Sequence, residues 1–457
     1  FNPATSGSID STTVDSITLS GLTPSTNYEA YLYADCGSGD YSDTVGPVSF
    51  ATLCYPVAGG TYTINSNLPT GGTNFANFSD FSYAVTCGGI TGPVIANVAP
   101  FSGPYQEQAY FGSIPGISST NTITINGNGE TLEFSATVSS ERYTLAFDGA
   151  SHIEVNNLNI EANGSSYGFG IWMTGGSEYI TIDSCTVSVN QGSTSSSFSA
   201  LASSTSATSA TSVSSIPAQN VTYTNNIFEG GYYCVTLAGQ SNSNTATNVL
   251  FENNIVRDFV YYGIYGRYLD NSLIKGNDIS RPNRQTAFSF YGMYFYGAMY
   301  GCEVTGNAAH NVFDQNPTYT GTVYAYYFSS VEGGNGQGPL VISNNLLYNV
   351  NMDGTQYGIY MPGTSDSVLV YHNTISLDNV NATGSSTIRG MYITSSSSTT
   401  DVEIKNNIFN VAEGGSGTKY CLYVSSSTPN YDIDYNQYSM VSQSGTNSLA
   451  YMGGNRT

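Results

Sequence analysis

One short pattern recurs along most of this chain and limits what it can fold into: apolar-x-apolar-x-(Asn or Gly)-Asn-x-apolar. It reads "ITINGNGE", "VTYTNNIF", "VLFENNIV", "LIKGNDIS", "LVISNNLL", "VLVYHNTI", "VEIKNNIF" and "YDIDYNQY", with a shifted "VTGNAAHN" between. The second asparagine of each falls at Asn128, Asn226, Asn254, Asn277, Asn307, Asn345, Asn373, Asn407 and Asn436. Two further segments, "IEVNNLNI" and "ITIDSCTV", put Leu158 and Cys185 at the same place. Alternating apolar positions mark short strands, and a repeat of one strand-and-bend unit marks a solenoid, whose neighbouring units share a continuous core. Spacing varies from 23 to 41 residues, so loops of different length must interrupt a constant frame.

A column of inward asparagines at one bend explains the pattern. Coils stacked as parallel strands lie about 4.8 Å apart. Each side-chain amide then reaches the carbonyl of the next, and a buried polar column satisfies itself. Leu158 and Cys185 mark where the column gives way to apolar packing. These residues are assigned structure and no chemistry. The expected architecture is all-β: a right-handed parallel β-helix with an Asn ladder over residues 121–457.

Composition supports this. Only 9% of residues are charged, while Gly (50) and Tyr (38) abound; Gly is a poor helix former and Tyr sits well on pleated surfaces. A formal charge of −22 with ten Lys and Arg argues against nucleic acid and anionic membrane surfaces as partners. No run approaches the roughly 20 apolar residues of a membrane span. Phe1 stands where an initiator would, and the chain opens in mid-pattern, as a piece of a longer protein would.

A second strand follows each asparagine: "FGIWM", "YCVTL", "YGIYG", "YGMYF", "YAYYF", "YGIYM", "RGMYI", "YCLYV" and "SLAYM". Alternation turns pairs such as Ile171/Met173, Val235/Leu237, Met293/Phe295 and Leu422/Val424 inward. The residues between them face outward: Trp172, Thr236, Tyr265, Tyr294, Tyr327, Tyr360, Tyr392, Tyr423 and Tyr451. Seven tyrosines on consecutive coils make a stripe about 29 Å long. Such a row can brace neighbouring coils, stack on sugar rings or lie under another protein, and all three readings stay open.

Charge supplies a second candidate. Arg257, Arg267, Lys275, Arg281 and Arg284 lie within 28 positions. Counting from the ladder aligns Glu229, Arg257, Ser280 and His310 in one column and Gly230, Asp258, Arg281 and Asn311 in the next. Glu229, Arg257, Asp258, Arg281 and His310 are therefore expected on one turn. They could serve a glycosidase, which needs two carboxyls roughly 5–10 Å apart, or form a plain surface ion-pair ladder.

Seven cysteines are too few for a disulfide scaffold. Cys36 and Cys54 bracket one short segment and are the expected bridge, which suits an extracellular setting. Cys185, Cys234, Cys302 and Cys421 fall at repeat positions and pack as small apolar groups. With three His and no CxxC pair, no cofactor and no metal are expected; an incidental calcium near Asp432 and Asp434 stays open.

Residues 54–120 read as an adaptor and cap. Phe75, Phe78, Phe81 and Val85 give the spacing of a short amphipathic helix within Asn74–Val85, laid over the open end of the solenoid. The Ser/Thr/Ala-rich stretch Ser193–Ser215 and the glycine run Gly333–Gly338 read as loop insertions.

Residues 1–53 resemble the second half of a fibronectin type III domain. That module's usual "GLTPxTxYxxxVxA" and closing "FTT" appear here as "GLTPSTNYEAYLYA" and "FATL", predicting strands at Ile17–Leu22, Glu29–Ala34 and Val48–Leu53 of a partial β-sandwich. The segments "AGGTYTIN", "GGITGPVIANVAP" and the final "YDIDYNQYSM…AYMGG" resemble the large secreted right-handed β-helix proteins of Bacteroidota. That resemblance implies secretion to the cell surface through type IX machinery, and polysaccharide or other surface proteins as partners. It supplies no catalytic residues. The chain reads first as a non-enzymatic adhesin or structural surface protein, and second as a polysaccharide lyase or glycoside hydrolase.

Overall fold

A computed structural model gives the architecture. It describes residues 9–14, 16, 17, 19, 22, 26–52, 54–286, 288–395, 399–425, 431–442, 444–453, 455 and 456. From Gly60 onward the chain winds into a right-handed parallel β-helix, each coil contributing strands that pair in parallel with those of the coils before and after. Strands ahead of the ladder bend, such as Leu250–Glu252 and Leu273–Lys275, form one face. Strands after it, such as Ile255–Arg257 and Asp278–Ser280, form a separate 12-stranded sheet. Longer strands, such as Tyr262–Asp270 and Phe290–Tyr300, form the face that carries the tyrosines.

Apolar residues fill the interior in columns. One column runs Val155, Ile182, Tyr223, Phe251, Ile274, Val304, Ile342, Val370 and Ile404, each in register with the next, and none of its members is exposed to solvent. The inward pairs of the tyrosine strands are buried likewise, including Ile264, Met293, Phe295, Ile359, Met361, Met391 and Ile393.

The ladder runs unbroken from Asn226 through Asn254, Asn277, Asn307, Asn345, Asn373 and Asn407 to Asn436. Each Nδ2 donates to the next Oδ1 at 2.9–3.2 Å. The same Oδ1 also accepts the backbone N–H of the preceding asparagine. Cys185 extends the column, contrary to the expected apolar break: its N–H donates to Asn226 Oδ1 at 2.9 Å, and its Sγ accepts from Leu158 N at 3.4 Å. Asn128 does not belong. Two extra residues in its coil swing it outward, where its amide donates to Val98 O at 2.7 Å.

The first residue of the "(Asn or Gly)-Asn" pair has its own reason. Asn225, Asn253, Gly276, Gly306, Asn344 and Asn406 all have φ between 55° and 67°. This left-handed conformation is strained for residues with an ordinary side chain and open to Gly and Asn.

The cap forms with altered bounds. The helix is Phe78–Gly88; Asn74–Phe75 is instead a short strand beside Thr63 and Ile64. Asn77 caps the helix by accepting from Asp80 N, and Glu107 accepts from the N–H groups of Phe78 and Ser79. Phe78 and Phe81 bury against Tyr105 and Phe111. Strands Gly60–Ile64 and Val94–Val98 already join the parallel ladder, so the stack begins before residue 121.

Two expectations are corrected. Cys54 bridges Cys87, at a Cα–Cα distance of 5.5 Å, and Cys36 is free and exposed. The reason is placement: Cys87 sits in the last turn of the capping helix beside the incoming chain, whereas Cys36 lies on a hairpin of Asp35–Gly37 with Asp40–Tyr41. Ser193–Ser215 is not simply a loop, since Phe198–Ser203 is a buried strand in register with Gly168–Met173. The described N-terminal residues form that hairpin and the antiparallel pair Asn27–Leu32 with Val45–Ala51. Ile17 and Leu19 are outside any strand; Thr18, Ser20, Gly21, Thr23, Pro24, Ser25 and Leu53, which carry much of the module resemblance, lie outside the described residues.

Candidate functional site

The outward tyrosines stand where alternation places them. Tyr265, Tyr294, Tyr327, Tyr360, Tyr392, Tyr423 and Tyr451 are cross-strand neighbours in unbroken register. Their ring centroids are 5.0, 4.8, 5.0, 4.8, 5.4 and 4.5 Å apart. Four of these contacts are stacked and two are edge-on.

A second row lies beside the first: Tyr233, Tyr262, Tyr291, Tyr324, Tyr357, Arg389 and Tyr420. Simple alternation misses it, because Tyr262 and Tyr265 are three residues apart and yet share a face. The cause is a corner in the strand at which both intervening residues point inward. A column of small residues makes the corner possible. A Cβ on Gly292 would meet Ala325 O at 2.6 Å, and one on Gly390 would meet Cys421 O at 2.6 Å. The recurring "YG-x-Y" is the signal in the sequence.

Packed together, the phenols are half-buried, and desolvation holds Tyr262, Tyr291 and Tyr294 well above the usual tyrosine pKa. They remain neutral hydrogen-bond donors at any physiological pH. Stacking also covers ring faces: Tyr294 lies between Tyr265 and Tyr327. The surface therefore offers ring edges and hydroxyls.

The charged column has the expected register, Glu229 beside Arg257 and Ser280 beside His310, but its side chains go separate ways. Arg257 pairs with Glu229 at the surface. Asp258 is buried and ties down the following loop, accepting from Asn283 N at 2.8 Å and Asn283 Nδ2 at 2.9 Å. Arg281 turns into the core: Nη1 donates to Val260 O and Nη2 to Phe288 O, both at 2.9 Å, with Phe313 beneath its guanidinium. Burial pulls its pKa down, to about 9. His310 meets Asp278 at 2.9 Å and stacks on Tyr348; the Asp278 hydrogen bond raises its pKa, against an opposing effect of burial. One sequence-marked group thus acts as three structural ties and an exposed ion pair.

A polar cleft of about 340 Å³ lies nearby, on the loops after the 12-stranded sheet, lined by Asp314, Thr318, Asn351, Asp353, Asn379 and Thr383. Its carboxylates are engaged: Asp353 accepts from Thr383, and Asp314 from Asn311 and Asn351. Among the described residues no group of three His, Cys, Asp or Glu is placed to hold a metal ion, and no helix is long and apolar enough to cross a membrane.

Comparison with known proteins agrees with the fold. Residues 213–438 match the model of the right handed beta helix region, and residues 80–228 that of the pectate lyase-like adhesive domain. Among solved structures, the chain is similar to PfbA, a surface adhesin of Streptococcus pneumoniae, at 13% identity and a TM-score of 0.43, covering 83% of each chain. It is similar to the Dettilon tailspike protein at 14% identity and a TM-score of 0.40, over 83% of this chain and 68% of that one. A mutant DFA-IIIase from Arthrobacter chlorophenolicus A6 matches at 11% identity and a TM-score of 0.41, over 77% and 84%. No curated protein matches. By its repeat, its ladder and the matched segment, the chain is a right-handed β-helix protein.

Proposed function

We propose that this chain is a non-enzymatic adhesive protein of the cell surface, and that the tyrosine face is its contact surface. The observation that carries the reading is that face: two in-register rows of half-buried tyrosines on a rigid strand scaffold. Contiguous aromatic surface of this kind marks contact with another molecule, with Tyr265, Tyr294, Tyr327, Tyr360, Tyr392, Tyr423 and Tyr451 as the central row. The adhesive-domain match over residues 80–228 points the same way. The Cys54–Cys87 bridge suits an oxidising compartment. Export by type IX machinery, a Bacteroidota origin and a fibronectin-like spacer at the N-terminus belong to the proposal through the sequence resemblance.

The test is display of the chain on a non-adherent bacterium, scored for adhesion to other cells. Display should raise adhesion several-fold, and Tyr294→Ala with Tyr327→Ala should remove the gain while the unfolding midpoint stays within the range of ordinary surface substitutions. Release of reducing ends or unsaturated products from a polysaccharide panel by the purified chain, abolished by Asp258→Asn, would overturn the non-enzymatic reading.

A further inference from the structure

The tyrosine face is cationic on a protein of charge −22. Arg389 occupies a tyrosine position in the second row, between Tyr357 and Tyr420. Its guanidinium sits in the corner of two rings, 3.8 Å from the Tyr392 centroid and 4.1 Å from that of Tyr423. Arg267 projects two residues beyond Tyr265, in a third row with Ala238, Tyr296 and Ser329. The Nε of each arginine is buried without a hydrogen-bond partner, and neither forms an ion pair among the described residues. No Asp or Glu occupies these rows beside them. Away from this face Arg257, Lys275 and Lys405 pair with carboxylates, and Arg281, Arg284 and Lys419 donate to backbone carbonyls; Arg142 donates its Nε to Ser139 O but has a buried Nη1 without a partner.

Three properties of this face bear on its partner. Rich in Tyr and Arg, and lacking Lys, Asp and Glu in its rows, it has the composition of the core of a protein–protein interface. Many of its ring faces are covered by neighbouring rings or by a guanidinium, which leaves little of the flat aromatic platform on which a sugar would stack. What remains outward is ring edges, the positive rim of the aromatic quadrupole, with neutral phenol hydroxyls; both favour oxygen acceptors. Eight coils of about 4.8 Å and a strand width of five residues give a footprint of roughly 600 Å², the scale of one side of a smaller protein interface.

We propose that the tyrosine face docks an acidic segment of a partner protein, Arg389 and Arg267 each taking a carboxylate and the phenols donating to its carbonyl oxygens. This rests on the adhesive reading of the same face and names its partner. The guanidinium fork matches a carboxylate in two parallel hydrogen bonds. Docking supplies the counter-charge that both arginines lack.

A yeast-displayed library of random 16-residue peptides, sorted on the full chain, is the probe. The selected pool should contain at least threefold more Asp and Glu than the input. Its binding should weaken tenfold or more on Arg267→Gln with Arg389→Gln, and should weaken for the wild type as salt rises, a reading that needs no variant. A pool no richer in acid, binding insensitive to salt, or equal binding by the double variant would overturn the proposal. So would binding of dextran or polygalacturonate through Tyr294 in place of peptides, or self-association of the chain lost on Arg389→Gln. Adhesion removed by the tyrosine substitutions and untouched by the arginine ones would leave the contact face standing and sink only the acidic partner. Adhesion unaffected by the tyrosines would sink both.

Discussion

Replacing Asn345 by alanine removes four hydrogen bonds at one buried point. Its Nδ2 donates to Val304 O at 2.9 Å and to Asn373 Oδ1 at 3.0 Å. Its Oδ1 accepts from Asn307 N at 3.0 Å and Asn307 Nδ2 at 2.9 Å. Asn345 is 1% exposed, so water does not reach the groups left behind. The Asn307 backbone N–H loses its ladder partner, while its Nδ2 keeps Ile274 O; Asn373 Oδ1 keeps the Asn345 backbone N–H. One buried polar group, the Asn307 N–H, is therefore left without a partner, while Val304 C=O keeps the Ser343 N–H of its parallel strand pair. An unsatisfied group of this kind costs about 1–3 kcal/mol, which is the expected loss. Asn159→Ala is the control, because its amide makes one exposed bond outside the ladder, to Gly129 O at 2.8 Å; it should cost less than about 1 kcal/mol. Urea titration compares the midpoints, and amide exchange locates the damage, since coils in a solenoid depend mainly on their neighbours. Exchange should quicken at Asn307 and the adjoining coils and hardly change near Asn226. A cost within about 0.5 kcal/mol of the control, or exchange quickened evenly along the helix, would refute the ladder as a load-carrying column.

Three further outcomes are expected. Glu413 is buried, accepting from Gln356 Nε2 at 2.7 Å and Asn379 N at 2.9 Å, and burial raises its pKa from 4.5 to about 8 despite the nearby Lys419 ammonium. The folded state thus holds this proton more tightly than the unfolded chain, so its stabilising effect is complete below about pH 4.5 and lost as pH rises through about 8; at about 1.4 kcal/mol per pH unit the loss is at most roughly 5 kcal/mol. Glu413→Gln should flatten that decline in a urea-midpoint series, and an unchanged slope would count against it. Tyr435 has φ 56° at a position where six other coils use Asn or Gly, and it is 74% exposed; Tyr435→Asn should raise stability by about 0.5–1 kcal/mol, measured by the same titration. A thiol reagent should label Cys36 at once in the native chain and Cys185, Cys234, Cys302 and Cys421 only after unfolding, because the latter are buried, with the Cys185 thiol pushed up to about 12. Rapid labelling of more than one thiol would contradict the packing.

Much of the solenoid was legible in advance because its signals are local and repeated. The positions of Asn226 to Asn436 and the outward set of tyrosines follow from counting along strands of period two. The register of Glu229 with Arg257, and of Ser280 with His310, was legible for the same reason. Where each side chain then points was not: Arg281 enters the core and Asp258 ties down a loop because of the partners that those loops bring, which no spacing encodes. The second tyrosine row was missed because period-two alternation fails at the corner formed by Gly263, Gly292 and Gly358, where two successive residues face inward. Pairing Cys36 with Cys54 failed for a related reason: nearness in sequence is not nearness in space once a helix returns Cys87 to the incoming chain.

The sequence by itself determined the coil: strands too short to stand alone, an asparagine that only a stacked neighbour can satisfy, and a residue before it suited to left-handed backbone. These are properties of one repeat and its copy, so they can be read from one line of text. The tertiary structure alone decided what the surface presents. Stacking 4.5–5.4 Å apart hides many of the faces of the central tyrosine row, and it leaves Arg267 and Arg389 without counter-charges among them. The charge and polarity of a face depend on which coils lie side by side, and that adjacency exists only after the chain has wound.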